Sequence, residues 1–289
     1  MNRWILAARP PTLWAAVAPV LVGSSLALRD DVFRLDAFAV TTITAVLIQI
    51  AVNFSNDVGD SEKGADTADR IGPPRAVALG LITPKEMWRG IGLVLGLAAL
   101  GGAYLTWIAG WPIVVIGVVS IAAAFGYTNG PKPYGYLGLG ELFVFVFFGL
   151  VATVGARFVH DATWQTDAPP GAVAMGFLAT AILVANNVRD IPTDQKTGKR
   201  TLAVRLGRLR SIWVYTAMFV GAATSIAIGI QTSGYPRAAF GSSLLALAGV
   251  WLAHQLSAAT NGVAFIAVLK GTARLQLAVA VTLAATLAL

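Results

Sequence analysis

The 289-residue chain is 56% hydrophobic and only 12% charged, about half the charged share of a soluble domain, which places it among membrane proteins. It has no cysteine, so disulfides, thiolate metal centres and cysteine nucleophiles are excluded. Its net charge of +7 is scattered between hydrophobic runs and forms no continuous basic face, which argues against nucleic acid as a partner.

The N-terminal MNRWILAARPPTLW has a basic start but no short apolar core with a small-residue cleavage site. It reads as a retained amphipathic lead-in to a first span. Crossing a bilayer core takes roughly 20 mostly apolar helical residues. Such runs are predicted near 12–28, 36–55, 88–108, 111–128, 140–158, 171–188, 211–231, 238–255 and 272–289. Runs this long and continuous mean helices, because lipid leaves the backbone no other hydrogen-bond partners outside a closed barrel. The expectation is an all-α polytopic membrane protein of nine spans, one domain over 1–289.

Charge gives the expected orientation. With the N-terminus cytoplasmic, the external connections hold only Arg29, Arg34, Arg157 and Arg237, and the other 17 of 21 Lys and Arg residues lie inside. The C-terminus is then external. Two cytoplasmic connections, about 56–87 and 189–210, are long and polar, and function is expected there.

The first follows NFSNDVGDSE at the end of the second span. Asn53, Asn56, Asp57 and Asp60 fall at i, i+3, i+4 and i+7, one helical face. Like charges this close need a cation, and hard oxygen donors suit Mg2+, which binds one or two carboxylates together with substrate phosphates. The sixth span ends NNVRDIPTDQKTGKRT and repeats the design with Asn186, Asn187, Asp190 and Asp194 on the same side. Pro192 between the two acids puts a regular helix there in question. Two facing acidic clusters with Lys and Arg nearby describe a diphosphate held through metal ions. Solvated helix ends are the bland alternative. A cation-coupled transporter is the remote one, since transporters place acids near the midplane and these lie at helix ends.

At these residues the chain resembles the UbiA superfamily of intramembrane prenyltransferases. Asn56-Asp57-x-x-Asp60 and Asp190-x-x-x-Asp194 match its two aspartate-rich motifs. ARPPTLWAAVAPVLVG, GPPRAV at 72–77, YTNGPKPYGYLGLGE at 127–141 and NNVRDIPTDQKTGKRTLAVRLG at 186–207 are similar to the branch that prenylates 1,4-dihydroxy-2-naphthoate. FVFVFFGLVATVGARFVHD is similar to actinobacterial members of that branch.

The resemblance implies nine helices around a central cavity in the plasma membrane, with an active site opening to the cytoplasm. It also implies Mg2+ dependence, a polyprenyl diphosphate donor, and transfer to 1,4-dihydroxy-2-naphthoate with loss of its carboxylate. The product would be demethylmenaquinone, in menaquinone biosynthesis. Another acceptor, 4-hydroxybenzoate or homogentisate, is the alternative. Carried over onto this chain, Asp57, Asp60, Asp190 and Asp194 are the catalytic metal-binding carboxylates, joined by Asn53 and Asn56. Gly64 stands where the superfamily often has a last first-motif Asp, which makes Asp66 a candidate substitute. Lys132, the only basic residue of its connection, is a diphosphate contact and catalytic candidate. Arg70, Arg75, Tyr127, Lys199 and Arg200 are further diphosphate candidates. Arg9 and Asn187 are candidates for the acceptor. Phe125, Tyr127, Phe143, Phe145, Phe147 and Phe148 offer aromatic faces to an allylic cation. His160 and His254 read as structural.

Overall fold

The computed structural model describes residues 2–64, 72 and 75–289, and all regular structure among them is helical. The elements are α1 (Arg3–Ala8), α2 (Pro10–Arg29), α3 (Leu35–Glu62), α4 (Pro84–Ala109) and α5 (Pro112–Gly126). They continue with α6 (Gly140–Phe158), α7 (Pro169–Lys196), α8 (Leu202–Thr232), α9 (Arg237–Ala258) and α10 (Gly262–Leu287).

Local chemistry sets the ends. Asn2 caps α1 by accepting from the Trp4 N–H, and the helix stops at Arg9, which is left-handed at φ 52°. Pro10 and Pro11 then open α2, where a missing N–H loses nothing. This elbow turns the chain from a surface helix into the first span. Thr83 and Glu86 form a reciprocal capping box on α4. Inside α8, Gly207 takes φ 75°, ψ 169° and kinks the helix. In α6, Phe145–Val151 form a π-helical stretch where Gly149 meets α7, and a Cβ there would lie 2.4 Å from Gly176 Cα. Backbones this close need glycine on both helices.

α7 is the central helix, packed on α2, α6, α8 and α10. Met175, Leu178 and Val184 of α7 meet Val22 of α2, Phe219 of α8 and Leu283 of α10 in the main core cluster. Trp88 and Trp107, near the two ends of α4, are both exposed. Their separation of about 28 Å along the helix matches a bilayer core with an aromatic residue at each interface.

One expectation changes, that of a polar loop over 189–210. Among the described residues, eight helices are long and apolar enough to cross a membrane. The ninth expected span, 111–128, is the 15-residue apolar helix α5, about 22 Å long against a core of about 30 Å. The polar 189–210 connection is mostly helix: α7 continues through Pro192 to Lys196, and α8 begins at Leu202. α3 carries its acidic motif in regular helix to Glu62, in keeping with the one-face reading of Asn53, Asn56, Asp57 and Asp60. Both acidic clusters therefore sit on rigid helical extensions and not on loops. At Pro192 the lost backbone bond is a single one, and the packing of α7 on its neighbours outweighs it.

Candidate active site

A cavity of about 800 Å3 runs between α2, α3, α4, α5, α6 and α7. α3 faces it with Thr41, Thr44, Ile48, Gln49, Asn53, Asn56 and Asp60, a stripe at helical spacing. One end is polar, where Asn56, Asp60, Arg75, Asp190, Asp194 and Lys199 converge. The remainder is mostly apolar, with Ala98, Gly102, Ile121, Phe147, Val151 and Val159 on its walls. Residues of both aspartate-rich motifs thus line one space.

Asp60 is the hub. It is 2% exposed, accepts from Arg75 Nη2 at 2.6 Å and from the Tyr136 hydroxyl at 3.1 Å, and has Lys199 Nζ at 3.8 Å. Two ammonium groups approach the Tyr136 ring, Lys63 at 5.1 Å and Lys199 at 5.0 Å from its centroid. Lys63 Nζ donates to the Thr128 carbonyl at 2.5 Å. Burial lowers the Lys63 pKa, and the Asp60 carboxylate works against that shift. In the second cluster, Arg189 grips Asp190 with two hydrogen bonds of 2.7 and 2.6 Å and donates to Asn186 Oδ1 at 2.7 Å. Tyr127 lines the cavity.

Several sequence candidates have other work. Asp57 is 0% exposed and accepts from the Ala76 and Val77 backbone N–H groups, both at 3.0 Å. Its carboxylate fastens the 76–80 turn to α3, which presents Arg75 to Asp60, and it does not line the cavity. The expected metal-ligand role for Asp57 does not fit this geometry. Asn53 lines the cavity, but its amide donates to the Ala8 carbonyl at 2.8 Å and Thr12 Oγ1 at 3.1 Å. It ties the α1–α2 elbow to α3. Asn56 faces the cavity and accepts from Thr128 Oγ1 at 3.0 Å. Asn187 donates to Glu141 Oε1 at 2.9 Å on the cavity wall. Arg9 also lines the cavity. Lys132 and Arg200 are exposed and outside the cavity lining. Asp66 and Arg70 lie outside the described residues. Of the six aromatic residues, Tyr127, Phe143, Phe147 and Phe148 line the cavity, whereas Phe125 and Phe145 do not.

Lys63, Tyr136 and Arg189 were missed by sequence reasoning. Arg189, next to Asp190, is one of the Lys and Arg residues that the sequence places near the second cluster without an individual role.

Replacing Asp57 by alanine leaves two buried amides without an acceptor, at about 1–3 kcal/mol each. The expected result is a lowered melting temperature in detergent and a raised KM for the donor, because the 76–80 turn no longer holds Arg75. Unchanged melting and KM would remove the anchoring role.

The donor chemistry suits Mg2+. Asn56, Asp60, Asp190 and Asp194 offer only hard oxygen ligands at the polar end. Among the described residues no three acidic or histidine side chains are placed to hold a metal by themselves.

Fold and site together define an intramembrane prenyltransferase architecture: a helical membrane bundle whose deep apolar cavity ends in facing carboxylates and cations. Residues 16–269 match the UbiA prenyltransferase family, and the chain belongs to that family. It is 42% identical over 218 residues to a protein of Mycobacterium tuberculosis, covering 75% of this chain and 74% of the relative. It is 38% identical over 231 residues to one of Escherichia coli, covering 78% and 75%. Both relatives are 1,4-dihydroxy-2-naphthoate octaprenyltransferases. Among solved structures, a UbiA homolog from Archaeoglobus fulgidus bound to GPP and Mg2+ superposes with a TM-score of 0.70 at 13% identity, over 98% of this chain and 100% of that one. The apo UbiA homolog from Aeropyrum pernix K1 gives 0.71 at 17% identity, over 94% and 96%. At these identities the two structures establish the fold, and the resemblance read from the motifs is borne out by the family match.

Proposed function

We propose that the protein transfers a polyprenyl group from a polyprenyl diphosphate to 1,4-dihydroxy-2-naphthoate, with loss of CO2, to give demethylmenaquinone. The observation that carries this reading is the facing of Asp60 and Asp190/Asp194 at the mouth of one long apolar cavity. Such a cavity takes a diphosphate head at its polar end and a prenyl tail along its length. The names of the relatives support the naphthoate acceptor.

Asn56, Asp60, Asp190 and Asp194 are the residues that would hold Mg2+, which when bound neutralises charge on the diphosphate as it leaves. Arg75 and Lys199 donate to the departing oxygens, so the electron pair of the breaking allylic C–O bond is stabilised on the diphosphate. The walls at Phe143, Phe147 and Phe148 exclude water that would quench the cation and present aromatic faces to it. The acceptor ring carbon bearing the carboxylate forms the new C–C bond. CO2 then departs from that carbon and leaves its electron pair to restore aromaticity, so no base is required at the attacked position. Arg9, on the cavity wall at the elbow, pairs with the acceptor carboxylate. The positive-inside distribution supports a plasma-membrane enzyme whose polar end opens to the cytoplasm.

Purified protein in detergent, given prenyl diphosphate, Mg2+ and equimolar dihydroxynaphthoate and 4-hydroxybenzoate, is expected to form demethylmenaquinone. EDTA should abolish the product and added Mg2+ restore it. Prenylated 4-hydroxybenzoate as the sole product would refute the acceptor assignment.

The basic residues separate by position. Lys199→Ala is expected to raise the donor KM about tenfold, the equivalent of one charge-assisted hydrogen bond of about 1.5 kcal/mol. Lys132→Ala should leave it within about twofold, as an exposed charge at a distance is screened. The reverse order would return Lys132 to the site.

A further inference from the structure

Gln49 lies one helical turn beyond Asn53 on the cavity face of α3, and it is 7% exposed. Its Nε2 donates to Asn53 Oδ1 at 3.2 Å. Asn53 is itself fixed to the Ala8 carbonyl and Thr12 Oγ1. The elbow thereby sets the plane of the Gln49 amide. With its donor so engaged, Gln49 Oε1 is buried and receives no hydrogen bond from the described residues. A buried amide oxygen left without a donor loses about 1–3 kcal/mol. Neither a bilayer nor a prenyl tail can supply a donor at that depth.

The position along α3 narrows what could. Gln49 is 11 residues from Asp60, about 16 Å deeper along the helix. That leaves room for a diphosphate at the mouth and a bicyclic ring beneath it. Thr12 and the Ala8–Arg9 backbone sit at the level of Asn53, and Gln49 is one turn, about 6 Å, below them. An aromatic acid whose carboxylate is held at the elbow extends a hydroxyl meta to that carboxylate downward by about one helical turn.

We propose that Gln49 Oε1 accepts a hydrogen bond from the 4-hydroxyl of the naphthoate acceptor and so fixes which edge of the ring faces the diphosphate. Gln49 is then a specificity-determining residue of the acceptor seat, oriented through Asn53. This rests on the acceptor proposed above. A site built to hydrogen-bond a hydroxyl rejects the analogue that lacks it, because the polar group is then left unpaired.

The test compares 1,4-dihydroxy-2-naphthoate as substrate with 1-hydroxy-2-naphthoate as competitive inhibitor, so that altered ring reactivity does not enter. In the wild type the analogue's Ki is expected to exceed the substrate's Kd about tenfold, for loss of one hydrogen bond. Gln49→Leu should weaken the dihydroxy acceptor about tenfold, leave the prenyl diphosphate KM unchanged, and abolish discrimination between the two acids. If Gln49 acts only by propping Asn53, the variant weakens both acids equally and keeps the discrimination, which overturns the assignment. A wild type that binds both acids equally overturns it without any variant, should Gln49→Leu fail to fold. Absence of any product from dihydroxynaphthoate in the wild type would instead sink the functional reading itself.

Discussion

Asparagine in place of Asp60 is expected to lower kcat by at least about 100-fold, the scale seen when one preorganised electrostatic group is removed from an active site. Among the described residues, Asp60 is the carboxylate of the first motif that reaches the cavity, since Asp57 is held by two backbone amides. The substitution removes the negative charge on which Arg75, Tyr136 and Lys199 converge. It keeps the side-chain shape and an acceptor for the Tyr136 hydroxyl, so the protein should remain folded. Steady-state kinetics on detergent-purified protein, with a melting curve alongside, separates the two effects. Turnover within about tenfold of wild type would be too much for a residue in the clamp.

Methionine in place of Arg157 is expected to give the largest loss of stability, with the site itself untouched. Arg157 is 1% exposed. It donates to Asp30 at 2.8 and 3.2 Å and to Asp161 at 2.9 and 3.2 Å. Arg29 closes the network by pairing with Asp30 and Asp167. This cluster locks α2 to the end of α6 and the connection that follows, at the end of the bundle away from Asp60. Removing one partner of such a pair typically costs about 3–5 kcal/mol, because the remaining charges are left uncompensated. A melting temperature within a degree or two of wild type would contradict this ranking.

The same cluster fixes the direction of pH dependence. Burial alone would raise the Asp161 carboxyl, but hydrogen bonds from Arg157 and Thr163 hold it below its ordinary 3.8. Its contribution is therefore present above that value and lost as pH falls through the lowered one. His160 stacks on Phe33 and accepts the Arg34 backbone N–H at its Nδ1. Burial first, and the Arg157 charge second, push His160 down from 6.5 to about 4. The unfolded chain then binds a proton that the folded one does not, so stability declines as pH falls from 6.5 towards 4. Melting temperature should fall across that window, and His160→Phe should flatten the decline.

The helical membrane fold and the family were legible in the sequence, because membrane helices announce themselves by length and the two aspartate-rich clusters by their matching pattern. Role assignment within the first cluster was not. Asn53, Asn56, Asp57 and Asp60 share a face over two turns, yet Asp57 is rotated about 100° from Asn56. That rotation points it at the Ala76 and Val77 amides, which are remote in sequence and give no signal by spacing. Lys132 drew notice by standing alone in a familiar segment. Tyr136, four residues on, reaches Asp60 because the Tyr134–Leu137 turn folds back towards Lys199. Pro192 argued for a break in α7 that packing overrides. Arg157 counted only as one of four external charges, since burial cannot be read from a lone Arg at a helix end.

In the proposed function the two helical extensions form one metal-dependent diphosphate clamp. The most direct test is equilibrium binding of a non-ionising prenyl thiolodiphosphate to the purified protein, with Mg2+ and with EDTA. The expected result is saturable binding that requires Mg2+ and is lost in both Asp60→Asn and Asp194→Asn. Equal binding in EDTA, or binding retained in both variants, would contradict it.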